Sequence, residues 1–144
     1  MIHVVSMRRL HSGMTLIELL VVLVILGLIA SIAGPKVMNY FGDAKSRTAK
    51  IQIEQFGQTL DLFKLNVGRY PSTSEGLGAL LQAPSGASNW AGPYLKGSNV
   101  PKDPWNNEYK YVAPGQHGPY DIISFGADGR EGGEDESKDI TSWQ

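Results

Sequence analysis

Met14 to Gly34 reads MTLIELLVVLVILGLIASIAG, apolar throughout except for Thr15, Ser31 and one carboxylate, Glu18. An apolar run of about 20 residues is long enough to cross the roughly 30 Å hydrocarbon core of a bilayer as a helix. Arg8 and Arg9 precede it, and the positive-inside rule then places the N-terminus in the cytoplasm and the remainder across the membrane. A cleaved secretory signal has a shorter apolar region of about 7–15 residues and an A-x-A-like site. Here Ala30 to Gly34 runs into Pro35-Lys36-Val37 without such a site. On the apolar run alone, a signal-anchor is the economical reading. Glu18 disturbs it. A carboxylate in a membrane helix costs about 2.5–3.5 kcal/mol at the bilayer centre, less near an end, and is usually paired or functional. No Lys or Arg lies within one helical turn of Glu18. Its partner is therefore expected from another chain, or from a new amine made nearby. Cleavage after Gly13 makes such an amine on Met14, one helical turn away.

The chain of 144 residues has room for this segment and one small domain. Its net charge is −1, with basic residues scattered, which argues against nucleic acid as a partner. Cysteine is absent, which excludes a disulfide framework and a thiol nucleophile and leaves a metal ion as one way to staple a small domain. Two of the three histidines, His3 and His11, lie in the leader, and His117 falls in a turn. No glycine-rich phosphate motif precedes a helix. The sequence is not that of an enzyme.

Past the apolar run, Pro35 is expected to kink or locally melt the helix, since it removes a backbone bond and crowds the preceding turn. The helical pattern then resumes. Ala49, Ile53, Phe56, Leu60, Phe63 and Val67 form an amphipathic stripe at alternating spacings of four and three. If continuous, Met14 to Asn66 makes a rod of about 80 Å at 1.5 Å per residue. Gly68 is the expected stop. Ser72-Thr73-Ser74-Glu75 reads as a capping box, predicting a short helix over residues 74–82. Residues 84–104 are expected to form an ordered loop anchored by Trp90, Tyr94 and Leu95, and Asp103-Pro104-Trp105-Asn106-Asn107 carries turn chemistry. Strands are predicted at 108–112, 120–124 and around 140–143. The fold class is α+β: a long N-terminal helix packed on a small antiparallel sheet, with a loop-rich C-terminal region. The chain divides into three regions: a leader, residues 1–13; a transmembrane helix, 14–35; and a globular part, 36–144, that includes the second half of the long helix.

Ser124 to Glu136 holds the densest group of carboxylates, with Glu131, Glu134, Asp135 and Glu136 close together among glycines. Calcium takes six to eight oxygens from carboxylates and carbonyls in flexible loops. The spacing is not that of an EF-hand, and composition alone reads this segment as a solvated acidic turn.

Gly13 followed by Met14-Thr15-Leu16-Ile17-Glu18 and a long apolar run resembles the processing site of type IV pilin-like precursors. Met14 stands where that superfamily usually has Phe, and initiation at Met7 leaves the shorter leader MRRLHSG. Arg69-Tyr70-Pro71, Glu75-Gly76-Leu77, Asp103-Pro104-Trp105-Asn106, His117-Gly118-Pro119-Tyr120-Asp121 and Gly126-Ala127-Asp128-Gly129 narrow the resemblance. They are similar to segments of the major pseudopilins of bacterial type II secretion, and the likeness runs from Gly13 nearly to the C-terminus. It implies cleavage after Gly13 by a prepilin peptidase, N-methylation of Met14, and pairing of Glu18 with the Met14 amine of a neighbouring subunit. It implies a helical homo-oligomeric filament, a pseudopilus, that helps drive folded proteins across the outer membrane. The implied partners are minor pseudopilins, the peptidase and the inner-membrane assembly platform. The implied location is the inner membrane, single pass, with the C-terminal domain periplasmic and in the pseudopilus after assembly. It implies structural calcium in the acidic loop, held by Asp128, Asp135 and the Phe125 carbonyl. Glu136 is a fourth candidate whose register is loosened by an extra Ser137-Lys138. A type IV pilin, a minor pseudopilin or a monomeric membrane-anchored adaptor are the competing readings.

Overall fold

A computed structural model describes residues 13–144; residues 1–12 of the leader, with Met7, Arg8 and Arg9, lie outside the described residues. One helix, α1, occupies Leu16–Val67. Its assignment continues without a break through Pro35, so the expected local melting is not observed. The chain divides into two units, Met1–Asn39 and Tyr40–Gln144. In the first, the apolar side chains from Leu16 to Ile32 are exposed, as a helix made for lipid or for partners requires.

In the second unit the predicted stripe is the core. Ala49, Ile53, Phe56, Leu60 and Phe63 are buried, and Val67 packs at their edge. Burying each large apolar side chain contributes about 1.5–3 kcal/mol, so this face dominates the unit's stability. Facing it are Leu77 and Leu80 from the next loop and Tyr109, Tyr111 and Ile122 from the sheet. Gly68 ends α1 at φ 88° with its amide bonded to the Lys64 carbonyl at 2.8 Å.

The capping box forms as predicted. The Ser72 amide donates to Glu75 Oε2 at 2.7 Å, and the Glu75 amide donates to Ser72 Oγ at 3.3 Å. Beyond the box the chain makes a single 3-10 turn, Leu77–Leu80, in place of the expected helix over 74–82. Gly76, at φ 60°, breaks helical geometry directly after the cap, and Gly78 adds little propensity to restore it. The adjoining loop is ordered by the expected anchors: Trp90 Nε1 donates to the Ala79 carbonyl at 2.8 Å, and the Tyr94 amide to the Leu80 carbonyl at 2.7 Å.

Glu75 also takes a two-pronged ion pair from Arg69, at 2.6 and 2.8 Å. Hydrogen bonding from Arg69, joined by the Ser72 amide, lowers the Glu75 carboxyl to about 2. The Arg69 side chain is 45% exposed, so solvent screening holds the pair's contribution to about 1 kcal/mol or less. A depressed carboxyl stabilises the fold above its ordinary value near 4.3, and that share is lost as pH falls toward 2. Glu75→Gln keeps the cap and removes the charge. Urea titrations should therefore find it about 1 kcal/mol less stable than wild type at pH 7, with the gap closing between about pH 4.5 and 2. A gap independent of pH across that window refutes the pair's contribution.

The three strands are β1, Lys110–Val112; β2, Asp121–Ser124; and β3, Ile140–Thr141. They are shorter than predicted and antiparallel in the order β1-β2-β3, with Tyr111 opposite Ile122 and Ile123 opposite Thr141. Tyr111 and Ile122 point to the core, and alternation sends Lys110, Ile123 and Thr141 to the other face. The β1–β2 turn is tied by Asp121, which accepts from the Gln116 and His117 amides and pairs with His117 Nδ1 at 3.1 Å. Burial opposes ionisation of Asp121, but these bonds outweigh it and hold the carboxyl below its ordinary value. The His117 ring stacks on Trp143 at 3.8 Å, fastening the C-terminal segment.

Candidate functional site

Two places carry the sequence-predicted residues. At the first, Gly13, Met14 and Thr15 precede the helix, with Met14 74% exposed. The Gly13–Met14 bond therefore sits in non-helical chain, which suits proteolysis. Glu18 is not without a partner inside its own chain. The Thr15 amide donates to Glu18 Oε2 at 2.8 Å, and the Glu18 amide donates to Thr15 Oγ1 at 3.3 Å. Thr15 is thus the N-cap and Glu18 the third helical residue of a second capping box. The cap satisfies backbone amides that open the helix, and the carboxylate complements the positive end of its dipole. The T-x-x-E signal is present in the sequence, but looking only for a countercharge to Glu18 passes over it. The cap supplies hydrogen bonds, not a positive charge, and Glu18 remains exposed for one.

The second place is the acidic loop between β2 and β3. Phe125 leads into a 3-10 turn, Gly126–Asp128, and a second turn is Asp135–Ser137. Asp128 is exposed, and its Oδ1 accepts from the Arg130 amide at 3.1 Å. Asp135 has the left-handed φ of 51°. Gly126 and Gly133 let the loop fold back on itself. A Cβ on Gly126 would meet the Glu136 carbonyl oxygen at 2.6 Å, and one on Gly133 would collide with the Ser137 carbonyl oxygen. Backbone carbonyls therefore crowd the loop's closing end.

Glu136 points elsewhere. Its Oε2 accepts from Trp105 Nε1 at 3.4 Å, and its side chain lies against Gly42 of α1, where a Cβ would come within 2.5 Å of Glu136 Cγ. Sequence reasoning also missed the props beneath the loop. Asp103 is buried and accepts from the Trp105 and Asn107 amides at 3.1 and 2.8 Å and from the Ser124 hydroxyl at 2.6 Å. Asn107 Nδ2 in turn donates to the Gly126 carbonyl at 2.8 Å. The D-P-W-N-N segment read as a turn is also the floor on which the loop stands.

Among the described residues, no three carboxylate or histidine side chains converge into a ready-made metal site. Two buried oxygens in this region nevertheless lack hydrogen-bond partners among the described residues: Asp139 Oδ1 and Thr141 Oγ1. Buried polar atoms are nearly always satisfied, and a bound ion or water is an ordinary reason for an exception. The donors this loop offers, backbone carbonyls and carboxylates, are all oxygens, the ligand chemistry that a hard cation such as calcium takes.

Comparison with known proteins agrees at both ends of the chain. Residues 8–34 match the prokaryotic N-terminal methylation motif, and residues 36–143 match the type II secretion system protein G family. The type II secretion system core protein G of Pseudomonas aeruginosa is 48% identical over 94% of this chain and 97% of its own length. The counterpart in Vibrio cholerae is 41% identical over 96% of this chain and 94% of its own. The crystal structure of the major pseudopilin of enterohaemorrhagic Escherichia coli superposes with a TM-score of 0.64 at 33% identity, covering 76% of this chain and 95% of that one. Helix, three-stranded sheet, N-terminal motif and globular part thus point one way, and the chain belongs to the protein G family of the type II secretion system, the major pseudopilins.

Proposed function

We propose that this chain is the structural subunit of a periplasmic pseudopilus that assembles from the inner membrane and helps drive folded proteins through the outer membrane. One observation carries the reading: a methylation-type N-terminus over residues 8–34 and a protein G domain over 36–143 occupy one chain. That pairing favours a major pseudopilin over a type IV pilin, a minor pseudopilin or a monomeric adaptor. The chain is a component of secretion machinery and not an enzyme. Its N-terminal motif implies processing by a prepilin peptidase, and its apolar helix is consistent with an inner-membrane anchor.

In the proposed cycle the peptidase cuts after Gly13 and methylates Met14, leaving a basic amine. Glu18 of one subunit pairs with that amine on the next. The apolar half-helices pack at the filament axis, and head-to-tail contacts that do not close produce a helical assembly. Minor pseudopilins and the assembly platform are its proposed partners. Mass spectrometry of the mature chain tests the reading: the expected N-terminus is Met14 carrying one methyl group. An intact leader, or cleavage near Ala33, overturns it.

Calcium is proposed as the loop's structural ion, held by the Asp128 and Asp135 carboxylates and the Phe125 carbonyl. Its charge offsets the repulsion among Glu131, Glu134, Asp135 and Glu136. At a hundredfold excess over its dissociation constant, a ligand of the folded state adds about 2.7 kcal/mol. Calcium should therefore raise the Tm of the full chain in detergent by several degrees, and chelation should open the loop to protease. No change in either on chelation removes the ion from the proposal.

A further inference from the structure

We propose that the open edge of β1 at Tyr111 is a docking slot for one extended, proline-free segment of another protein, held through its main chain. The inference depends on neither the filament reading nor the calcium reading. It starts from the direction in which β1 points its backbone. On β2, Ile122 turns toward the C-terminal segment: its carbonyl accepts from the Ser142 amide at 2.9 Å, and its amide donates to Ser142 Oγ at 3.0 Å. Its neighbours Asp121 and Ile123 therefore face β1 and bond Val112 and Lys110. Tyr111, opposite Ile122, is left with its amide and carbonyl directed away from the sheet. Ala113 agrees, two residues on. Its amide donates to Thr73 Oγ1 at 2.9 Å, and its carbonyl accepts from the same hydroxyl at 3.1 Å.

Thr73 thus stands in at Ala113 for the strand that β1 lacks. On the opposite edge of the sheet, the Thr141 carbonyl accepts from Lys50 Nζ at 3.0 Å. Capping exposed edges in this way is how folded chains keep them from pairing with others. Tyr111 has no such cap, and neither its amide nor its carbonyl is hydrogen-bonded among the described residues. Yet Tyr111 is only 7% exposed. Buried backbone groups are nearly always paired, so this donor and acceptor call for a partner. They belong to a strand that borders a cavity of about 710 Å³, lined by Tyr111, Leu77, Gly78 and Val100. Its charged groups are Lys102 and Glu108, one of each sign, so charge selects nothing. Recognition then falls to the backbone, with the apolar lining left to hold one side chain, as in strand addition to a sheet edge. The size suits a short segment, within the range of about 300–1,000 Å³ typical of ligand pockets. A second copy offering its own sheet edge would bring neighbouring strands and core with it, which a slot between β1 and Val100 does not admit. Proline opposite Tyr111 is excluded, because its nitrogen has no hydrogen for the Tyr111 carbonyl. Ordered water is the competing occupant.

The test uses the processed full chain in detergent, isotope-labelled on tyrosine nitrogen, with acetyl-Thr-Val-Thr-Val-Thr-amide as the probe. The Tyr111 amide resonance should shift saturably, and its hydrogen exchange should slow at least about tenfold in the bound state. The same probe N-methylated at every residue has no amide donors and should bind at least about tenfold more weakly. Gly78→Val supplies the matching change in the protein. A Cβ at Gly78 would meet nothing within 4 Å, so the added methyls enter the slot without touching its walls. This variant should keep the wild-type Tm and lose at least about tenfold in probe affinity. A Tyr111 amide indifferent to millimolar probe, the outcome that water predicts, overturns the proposal, as does equal binding of the N-methylated probe. Protection of that amide rising with protein concentration, without probe, assigns the edge to a second copy and also overturns it. Should Gly78→Val lower Tm, the comparison of the two probes on the wild-type chain decides.

Discussion

Glu18→Gln is expected to insert in the membrane and be processed after Gly13, yet to lose filament yield by an order of magnitude or more. The choice of glutamine comes from the capping box at Thr15. Glu18→Ala removes two things at once: the acceptor for the Thr15 amide and the negative charge proposed to meet a neighbour's amine. Glutamine retains the acceptor, because capping boxes use Glu or Gln alike. The remaining loss is the charge. Close charge pairs at interfaces couple by about 1.5–7 kcal/mol, and the apolar surroundings place this one away from the screened end of the range. The converse variant, Thr15→Val, keeps the charge and removes the hydroxyl, at a cost of about 1 kcal/mol in helix stability. Filament abundance by electron microscopy after overexpression, normalised to processed subunit, reads the comparison. Glu18→Gln filaments at wild-type yield would discard the pairing. So would a Thr15→Val loss as deep as that of Glu18→Gln, since capping alone would then explain both.

The α1 stripe is legible in the sequence because one period governs the segment from Ala49 to Phe63, and each position the periodicity names is buried. Signals confined to a few residues mark a place but not how far an element extends. The Ser72–Glu75 box predicts a helix start, and a start is what forms; Gly76 stops what composition over residues 74–82 suggests. The shortened strands have a related origin. Their ends are set by Asp121 folding the β1–β2 turn back on itself and by Lys50 of α1 gripping the Thr141 and Gln144 carbonyls. Neither contact leaves a local trace.

The candidate site divides along the same line. Gly13, Met14 and Glu18 form a linear motif that can be read directly. The acidic loop cannot. Asp135 and Glu136 are neighbours in sequence, but Gly42 and Trp105, distant in the chain, draw the Glu136 side chain aside. Asp139 stands outside the run of adjacent acids. Its mark is the burial of one oxygen, which only packing reveals.

Asp103→Ala is expected to be the most damaging single change in the globular part outside its apolar core. Asp103 is 4% exposed and accepts three hydrogen bonds, from two backbone amides and the Ser124 hydroxyl. Bonds to a charged acceptor contribute about 1.5–3 kcal/mol each, and removing the acceptor leaves buried donors unpaired. The three are not additive, since the Ser124 hydroxyl can rotate to another partner; a loss of about 3–5 kcal/mol is the expected sum. For a domain of this size that lowers Tm on the order of 15 °C. Asp103→Asn keeps a neutral acceptor for the Trp105 and Asn107 amides and should lose only about 1–2 kcal/mol. The damage should also spread in a defined direction. Asn107 reaches from this turn to the Gly126 carbonyl, and Ser124 sits at the end of β2 where the acidic loop begins. Limited proteolysis of Asp103→Ala should cut first between Gly126 and Asp139, before the α1 core opens. Thermal unfolding within about 1 kcal/mol of wild type would show that the turn does not carry the loop. First cleavage in the 84–102 segment would show that the disturbance travels away from the acidic loop.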